Sequence, residues 1–158
     1  MEFNIWGNDN HIVIGNNVQF NRGGNLWIEN NHCELVIGDM TTFEEAHLAV
    51  TEDSSKIVIG NDCMFAYDID VRTGDSHSII EMGTGRRTNP PQDVIMGDHV
   101  WIAAHCSILR GSRIPSGSIV GTRSVVTRNS AGLDGNVLLC GSPASVVREN
   151  VTWRRERI

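Results

Sequence analysis

The sequence predicts an all-β solenoid, a parallel coil of short strands stacked into a three-sided prism. Three observations predict it. A signature recurs as VIGNN (13–17), VIGDM (36–40), VIGND (58–62), IMGDH (95–99) and IVGTR (119–123). From the aliphatic residue in each, further apolar or small residues follow at steps of six, and two positions before most of them stands a second, small residue. Period six suits neither an amphipathic helix nor a long alternating strand; it suits a short strand plus a corner, repeated. Three such edges make a turn of ~18 residues, and turns stack at the strand spacing of ~4.8 Å.

Taken in chain order, Ile14, Phe20 and Leu26 form the first apolar set, Ile37, Phe43 and Ala49 the second, and Ile59, Phe65 and Val71 the third. The starts at 14, 37 and 59 lie 23 and 22 residues apart, so each early turn carries a small corner loop. The last run is unbroken: Met96, Ile102, Ile108, Ile114, Val120, Val126. On an alternating strand the residue two before each of these also points inward. That slot holds Val18, Gly24, Thr41, Cys63, Val100, Cys106, Ser112, Ser118, Ser124 and Ser130. Cys63 and Cys106 are thereby core fillers. With Cys33 and Cys140 they lack CxxC spacing, and four free thiols fit a cytoplasmic protein.

Between Val71 and Met96 the rhythm breaks, with 25 residues where six are expected. The chain should leave the prism over about 72–94, in a segment whose GTGRRTNPP (83–91) has the glycine and proline content of a loop. A long loop on a rigid coil is a usual place for function. A C-terminal element, about 141–158, opens with GSPA and ends in WRRERI; the whole of 1–158 reads as one β-helix domain.

Net charge is −6, unevenly spread: residues 1–98 carry a net −11 and residues 99–158 a net +5. An acidic majority argues against nonspecific nucleic-acid binding, while the basic end suits a small polyanion. The start MEFNIWGNDN has no basic stretch followed by an apolar one, and no apolar run approaches the ~18 residues of a membrane span, so neither a secretory signal nor a span is expected.

The broken rhythm contains Asp75 and His77. Continued on the coil, they would take inward slots, where an unpartnered carboxylate or imidazole is strongly disfavoured. On an extended loop, residues two apart face one side, so the carboxylate is expected to hold one imidazole nitrogen and leave the other free as a base. Trp101 lies between inward-pointing Val100 and Ile102 and should therefore face outward, offering a flat apolar wall and one N–H donor.

The period, covering nearly the whole chain from Ile14 to GSPASVV (141–147), resembles the hexapeptide-repeat acyltransferases. The resemblance implies a left-handed parallel β-helix, a homotrimer and active sites between neighbouring subunits. DSHSI (75–79), RRTNP (86–90) and DHVWI (98–102) are similar to bacterial surface-polysaccharide O-acetyltransferases, including those acting on capsular polysialic acid. In that group the histidine of the first motif is the catalytic base, which maps to His77, and the tryptophan of the third, here Trp101, lines the site. Ala103 departs from the glycine common at that position, and its methyl group should slightly narrow the cofactor cleft.

The resemblance implies direct acetyl transfer from acetyl-CoA to a sugar hydroxyl. A hydroxyl is a poor nucleophile at neutral pH, so a base must take its proton as it attacks, help worth ~10²–10⁴-fold. The oxyanion that forms needs a preorganised donor. No acyl-enzyme is required, and no cysteine sits in a nucleophile setting. In the family, pantetheine runs along the stacked turns toward the C-terminal part, which makes Gly121 and Ser142 candidate backbone contacts and Arg123, Arg128 and Arg148 candidates for the CoA phosphates. Arg72, Arg86, Arg87 and Asn89 are candidates for binding a sialic-acid-like acceptor.

Three other readings stand beside this one. The same chemistry on an amine would N-acetylate an amino or nucleotide sugar. A carbonic-anhydrase-like metal enzyme can share the prism, and His77, His99 and His105 invite the comparison; but His99 and His105, six apart, fall on successive edges, so no metal is expected within one chain. A non-catalytic scaffold leaves the joint presence of Asp75, His77 and Trp101 without a reason.

Overall fold

A computed structural model describes residues 1–130 and 134–158 of the chain. The strands come turn by turn. The first turn holds β1 (Glu2–Ile5), β2 (His11–Ile14) and β3 (Gln19–Phe20); the second β4 (Gly24–Glu29), β5 (Glu34–Ile37) and β6 (Thr42–Phe43). The third holds β7 (Ala46–Thr51), β8 (Lys56–Ile59) and β9 (Met64–Phe65); the fourth β10 (Ile69–Arg72), β11 (Val94–Met96) and β12 (Trp101–Ile102). The fifth is β13 (Ser107–Ile108), β14 (Arg113–Ile114) and β15 (Ile119–Val120); then come β16 (Val125–Val126), β17 (Leu138–Gly141) and β18 (Ala144–Arg148). The first strands of all turns form one sheet, β1-β4-β7-β10-β13-β16; the second strands form another and the third strands, with β17 and β18, a third. Pairing is parallel except between β17 and β18. Among the described residues none is helical.

Stacking turns this register into three apolar columns. Leu26, Leu48, Val71, Ile108 and Val126 line the first sheet, and Ile37, Ile59, Met96 and Ile114 the second. Phe43, Phe65, Ile102, Val120 and Leu139 line the third. Each of these is at most 2% exposed, and burying such a side chain is worth about 1.5–3 kcal/mol. Phe20, Phe43 and Phe65 stack with centroids 4.8 and 4.5 Å apart. The small slot is buried as expected from Thr41 through Ser124, Cys63 and Cys106 included. At the open N-terminal end Ile14 remains 40% exposed, because the first turn has a neighbour on one side only.

Two expectations shift. Leu48, not Ala49, takes the first-sheet column of the third turn; Ala49 pairs one position along, opposite Trp27 and Arg72. The corner after Phe43 is one residue shorter than its neighbours, so a strict step of six overshoots the larger side chain. IVGTR lies on the third sheet, where Val120 pairs with Ile102, whereas the earlier signatures lie on the second.

The recurring glycine and its Asn or Asp neighbour form the corner after the second sheet. The Asp39 N–H donates to Asn61 Oδ1 (2.8 Å) and the Asn61 N–H to Asp98 Oδ1 (2.7 Å), so each turn is capped by the next. A Cβ on Gly60 would come within 2.5 Å of the Gly97 backbone. The corner between the first and second sheets carries the small loops of the early turns and the long departure between Arg72 and Val94.

Candidate active site

Thr73 is the last residue packed on the prism before the departure, 0% exposed, with its hydroxyl donating to the Thr51 carbonyl at 3.0 Å. Beyond it the chain turns sharply. Ser76 has φ +64°, and the His77 N–H donates back to the Asp75 carbonyl at 2.8 Å. The Asp75–His77 segment is thus a tight turn and not extended chain, which corrects the expected same-face arrangement. Asp75 Oδ2 instead accepts from Asn89 Nδ2 and from Arg110 Nε, each at 2.9 Å. Burial pushes the Asp75 carboxyl up, but the hydrogen bonds from Asn89 and Arg110 and the charges of Arg110 and Arg72 outweigh it and hold the group below the usual carboxylate range. Asp75 is a charged anchor for the loop, and the His77 imidazole stands exposed outside the prism.

Asn89 organises the segment. It is 1% exposed, donates to Asp75 Oδ2 and to the His77 carbonyl (2.8 Å), and accepts from the Ile79 N–H (2.7 Å) and Arg87 Nε (3.2 Å). Arg87 grips both oxygens of Glu52 on the turn below, at 2.5 and 2.7 Å. Arg72 chelates Asp70 at 2.7 and 2.9 Å. Both arginines are held more firmly protonated, first by those hydrogen bonds. Of the four residues expected to bind an acceptor, Arg72 and Arg87 each hold a carboxylate of this chain, and Asn89 is used in full by the loop. A loop that leaves a coil must satisfy its own backbone, which is the work Asn89 does. Arg86 remains exposed near the tip.

Trp101 faces outward as expected, between Met64 and Ile119 in neighbouring turns. Ala103 and Gly121 follow on the corner from the third to the first sheet, stacked one turn apart; both are small and half-buried, and Cys140 Sγ sits where a Cβ on Gly121 would fall. Exposed Arg123 closes that corner with φ +58°. The other donor candidates lie elsewhere. Arg128 is on the next corner, lining a cleft with Asp75 and Arg110. Ser142 and Arg148 lie on the β17–β18 hairpin. His77 departs from the first-to-second-sheet corner and Trp101 sits on the third sheet, so one chain does not bring the two together.

His99 and His105 are corner residues with φ +55° and +61°. Nδ1 of each lies against a carboxylate of the turn below, Asp62 at 2.7 Å and Asp68 at 2.6 Å. Among the described residues no three His, Cys, Asp or Glu side chains are grouped to hold a metal ion.

Sequence reasoning passed over Arg110, Glu52 and the tail. Nothing local marks Arg110 or Glu52, whose partners are 35 residues away in sequence. Trp153 carried a readable signal, a lone tryptophan in a basic tail. It is 5% exposed, stacks on His99 at 4.2 Å and 6°, donates from Nε1 to the His99 carbonyl (2.8 Å) and lies 6.3 Å from Trp101. Arg155 then reaches Asp62 at 3.0 Å.

Comparison with known proteins places this geometry. No protein-family model matches the chain. The chain is 34% identical over 175 aligned residues to a polysialic acid O-acetyltransferase of Neisseria meningitidis, a match covering 98% of this chain and 80% of that protein. It is 29% identical over 122 residues to the polysialic acid O-acetyltransferase of Escherichia coli O1:K1 / APEC, covering 77% of this chain and 38% of that one. Among solved structures it is similar to the polysialic acid O-acetyltransferase OatWY, with a TM-score of 0.77 at 27% identity over 99% of this chain and 89% of the other. The coil is a left-handed parallel β-helix.

Proposed function

The chain belongs to the polysialic acid O-acetyltransferases of the hexapeptide-repeat type, and from that premise we propose that it moves an acetyl group from acetyl-CoA to a hydroxyl of a polysialic-acid-like capsular polysaccharide, with His77 as general base. That it is an acyltransferase forming O-acetyl esters follows from the membership; donor, acceptor and base are the proposal.

One observation carries the assignment of the base. His77 is an exposed residue whose own backbone groups are both pinned, its N–H to the Asp75 carbonyl and its carbonyl by Asn89. Imidazole is the side chain whose unperturbed titration lies nearest neutral pH. His77 takes the hydroxyl proton as the acceptor oxygen bonds to the acetyl carbon; the carbon–sulfur bond breaks, and the proton passes to the departing thiolate. The donor supplies an activated thioester. The outward indole of Trp101 and the small residue Ala103 beside it suit its slender arm, and exposed Arg123 on the following corner suits an anionic end.

Because His77 and Trp101 occupy different corners of one prism, the complete site needs a second copy of the chain, in keeping with a homotrimer in which the loop of one copy meets the Trp101 edge of the next. We place the enzyme in the cytoplasm, where its free thiols persist, and treat 1–158 as one working domain. The test is acetyl transfer from labelled acetyl-CoA to polysialic acid and to a neutral glycan, with wild type beside His77→Ala. Wild type is expected to acetylate the sialic polymer and the variant to lose at least ~10²-fold in kcat with its melting temperature kept. Undiminished turnover in the variant removes His77 as base, and no transfer to polysialic acid removes the acceptor.

A further inference from the structure

Beside the root of the His77 loop, a cleft of about 290 Å³ is lined by Asp75, Thr88, Arg110 and Arg128, among others. It does not end there. A second cleft shares Arg128 and adds Gln92, Asp93 and Arg113; a third shares Arg113 and runs on to Ser116 and Asn136. The three are therefore neighbours in a furrow that begins beside the catalytic loop and passes along the second sheet, with one arginine shared at each boundary.

These two arginines differ from three others at or near the root of the loop. Arg72, Arg87 and Arg110 each give their guanidinium to a carboxylate of this chain: Asp70, Glu52 and Asp75. Arg113 and Arg128 are exposed and, among the described residues, form no ion pair. Asp93, the acid between them, accepts the Lys56 N–H at 3.1 Å. Three arginines (Arg110, Arg113, Arg128) against two acids (Asp75, Asp93) line these clefts, a surplus of positive charge on a molecule whose net charge is −6. Arg128 packs directly over Gly111, whose added Cβ would lie 3.0 Å from Arg128 Cβ. Arg113 opens β14 two residues past that glycine, so the two arginines stand on adjacent turns of the coil, on the same side of the prism.

We propose that Arg128 and Arg113 form an anion track that receives carboxylates of the acceptor polymer and feeds it toward His77. The guanidinium fork suits this task, since it binds a carboxylate through two parallel hydrogen bonds. The inference rests on the polyanionic acceptor read above. It removes Arg128 from the donor side, where Arg123 on the Trp101 corner remains. The shared chemistry is an anion site, and donor phosphates and acceptor carboxylates are its two possible sources.

The experiment separates them. Arg113→Ala, Arg128→Ala and the double variant are assayed with acetyl-CoA and polysialic acid, each substrate varied in turn, after melting curves confirm the fold. The expected result is an acceptor KM raised at least tenfold in the double variant, an unchanged acetyl-CoA KM, and a shallower rise of acceptor KM with added salt. An unchanged acceptor KM overturns the track, and a raised acetyl-CoA KM with an unchanged acceptor KM gives the arginines to the donor. If wild type fails to acetylate polysialic acid, the functional reading fails first. The track is then judged by retention of wild type and double variant in gels cast with polysialic acid; equal mobility shifts overturn it and loss of the shift in the double variant upholds it.

Discussion

Arg110 Nε lies 2.9 Å from Asp75 Oδ2, so an arginine of the fifth turn holds the root of a loop that leaves the fourth. Their side chains are 24% and 33% exposed, which leaves the pair partly screened. Replacing Arg110 by alanine is expected to cost roughly 1 kcal/mol of global stability and to lower kcat about tenfold, because a loop shift of order 1 Å misplaces the base. Steady-state kinetics beside a melting curve check it. A variant that loses stability but keeps kcat shows the pair to be structural only.

Asn89 uses all four of its hydrogen-bonding positions inside the loop. Asn89→Ala leaves the Ile79 N–H without its acceptor and removes both donors from the loop, a loss of about 1–3 kcal/mol. The expected kinetic effect is a fall in kcat of ~10²-fold with acceptor KM little moved. A raised acceptor KM with kcat intact would instead make Asn89 a direct acceptor contact.

The lowered Asp75 carboxyl sets a direction for pH. A group whose folded value is depressed stabilises fully above its unfolded value, ~3.9 for an aspartate, and that stabilisation is lost as pH falls through the lower folded value. Protection of the Ile79 amide from hydrogen exchange should therefore hold at neutral pH and fall below about pH 4. The Arg110→Ala variant should lose it at higher pH than wild type. Coincident profiles in the two proteins rule this linkage out.

Trp153 ties the tail to the third sheet through its stack on His99, while Arg155 holds Asp62. Trp153→Ala is expected to cost about 3 kcal/mol, or roughly 6–12 °C in Tm for a chain of this size. It should also change the fluorescence of Trp101, whose ring centroid is 6.3 Å away. An unaltered Tm contradicts the docked tail.

Burial pushes the Cys63 thiol up to about 11 and also raises Cys33 and Cys106. With a thiol reagent at neutral pH the native protein should react first at half-buried Cys140, and at the other three only once unfolded. Fast labelling of Cys63 in folded protein would refute the core assignment and reopen the question of a cysteine nucleophile.

Much of this was legible in the sequence. A step of six between apolar residues can be satisfied only by a coil, since every turn repeats the same demand for a side chain that fills the centre. The break after Val71 announced the loop, because Asp75 and His77 cannot occupy such a centre. The exposed His77 and outward Trp101 followed from the same rule.

The tertiary structure decided what those residues touch. A one-residue shortening after Phe43 moved Leu48 into the column, and a positive φ at Ser76 turned Asp75 away from the expected partnership with the His77 imidazole. Arg72 and Arg87 look like free cations in sequence and are spent on Asp70 and Glu52, whereas Arg113 and Arg128 stay open. The reason is physical. The period reports burial, which each turn imposes locally, while pairs such as Arg87 with Glu52 and Arg110 with Asp75 depend on which side chains the stack sets a few ångströms apart from turns 35 residues away.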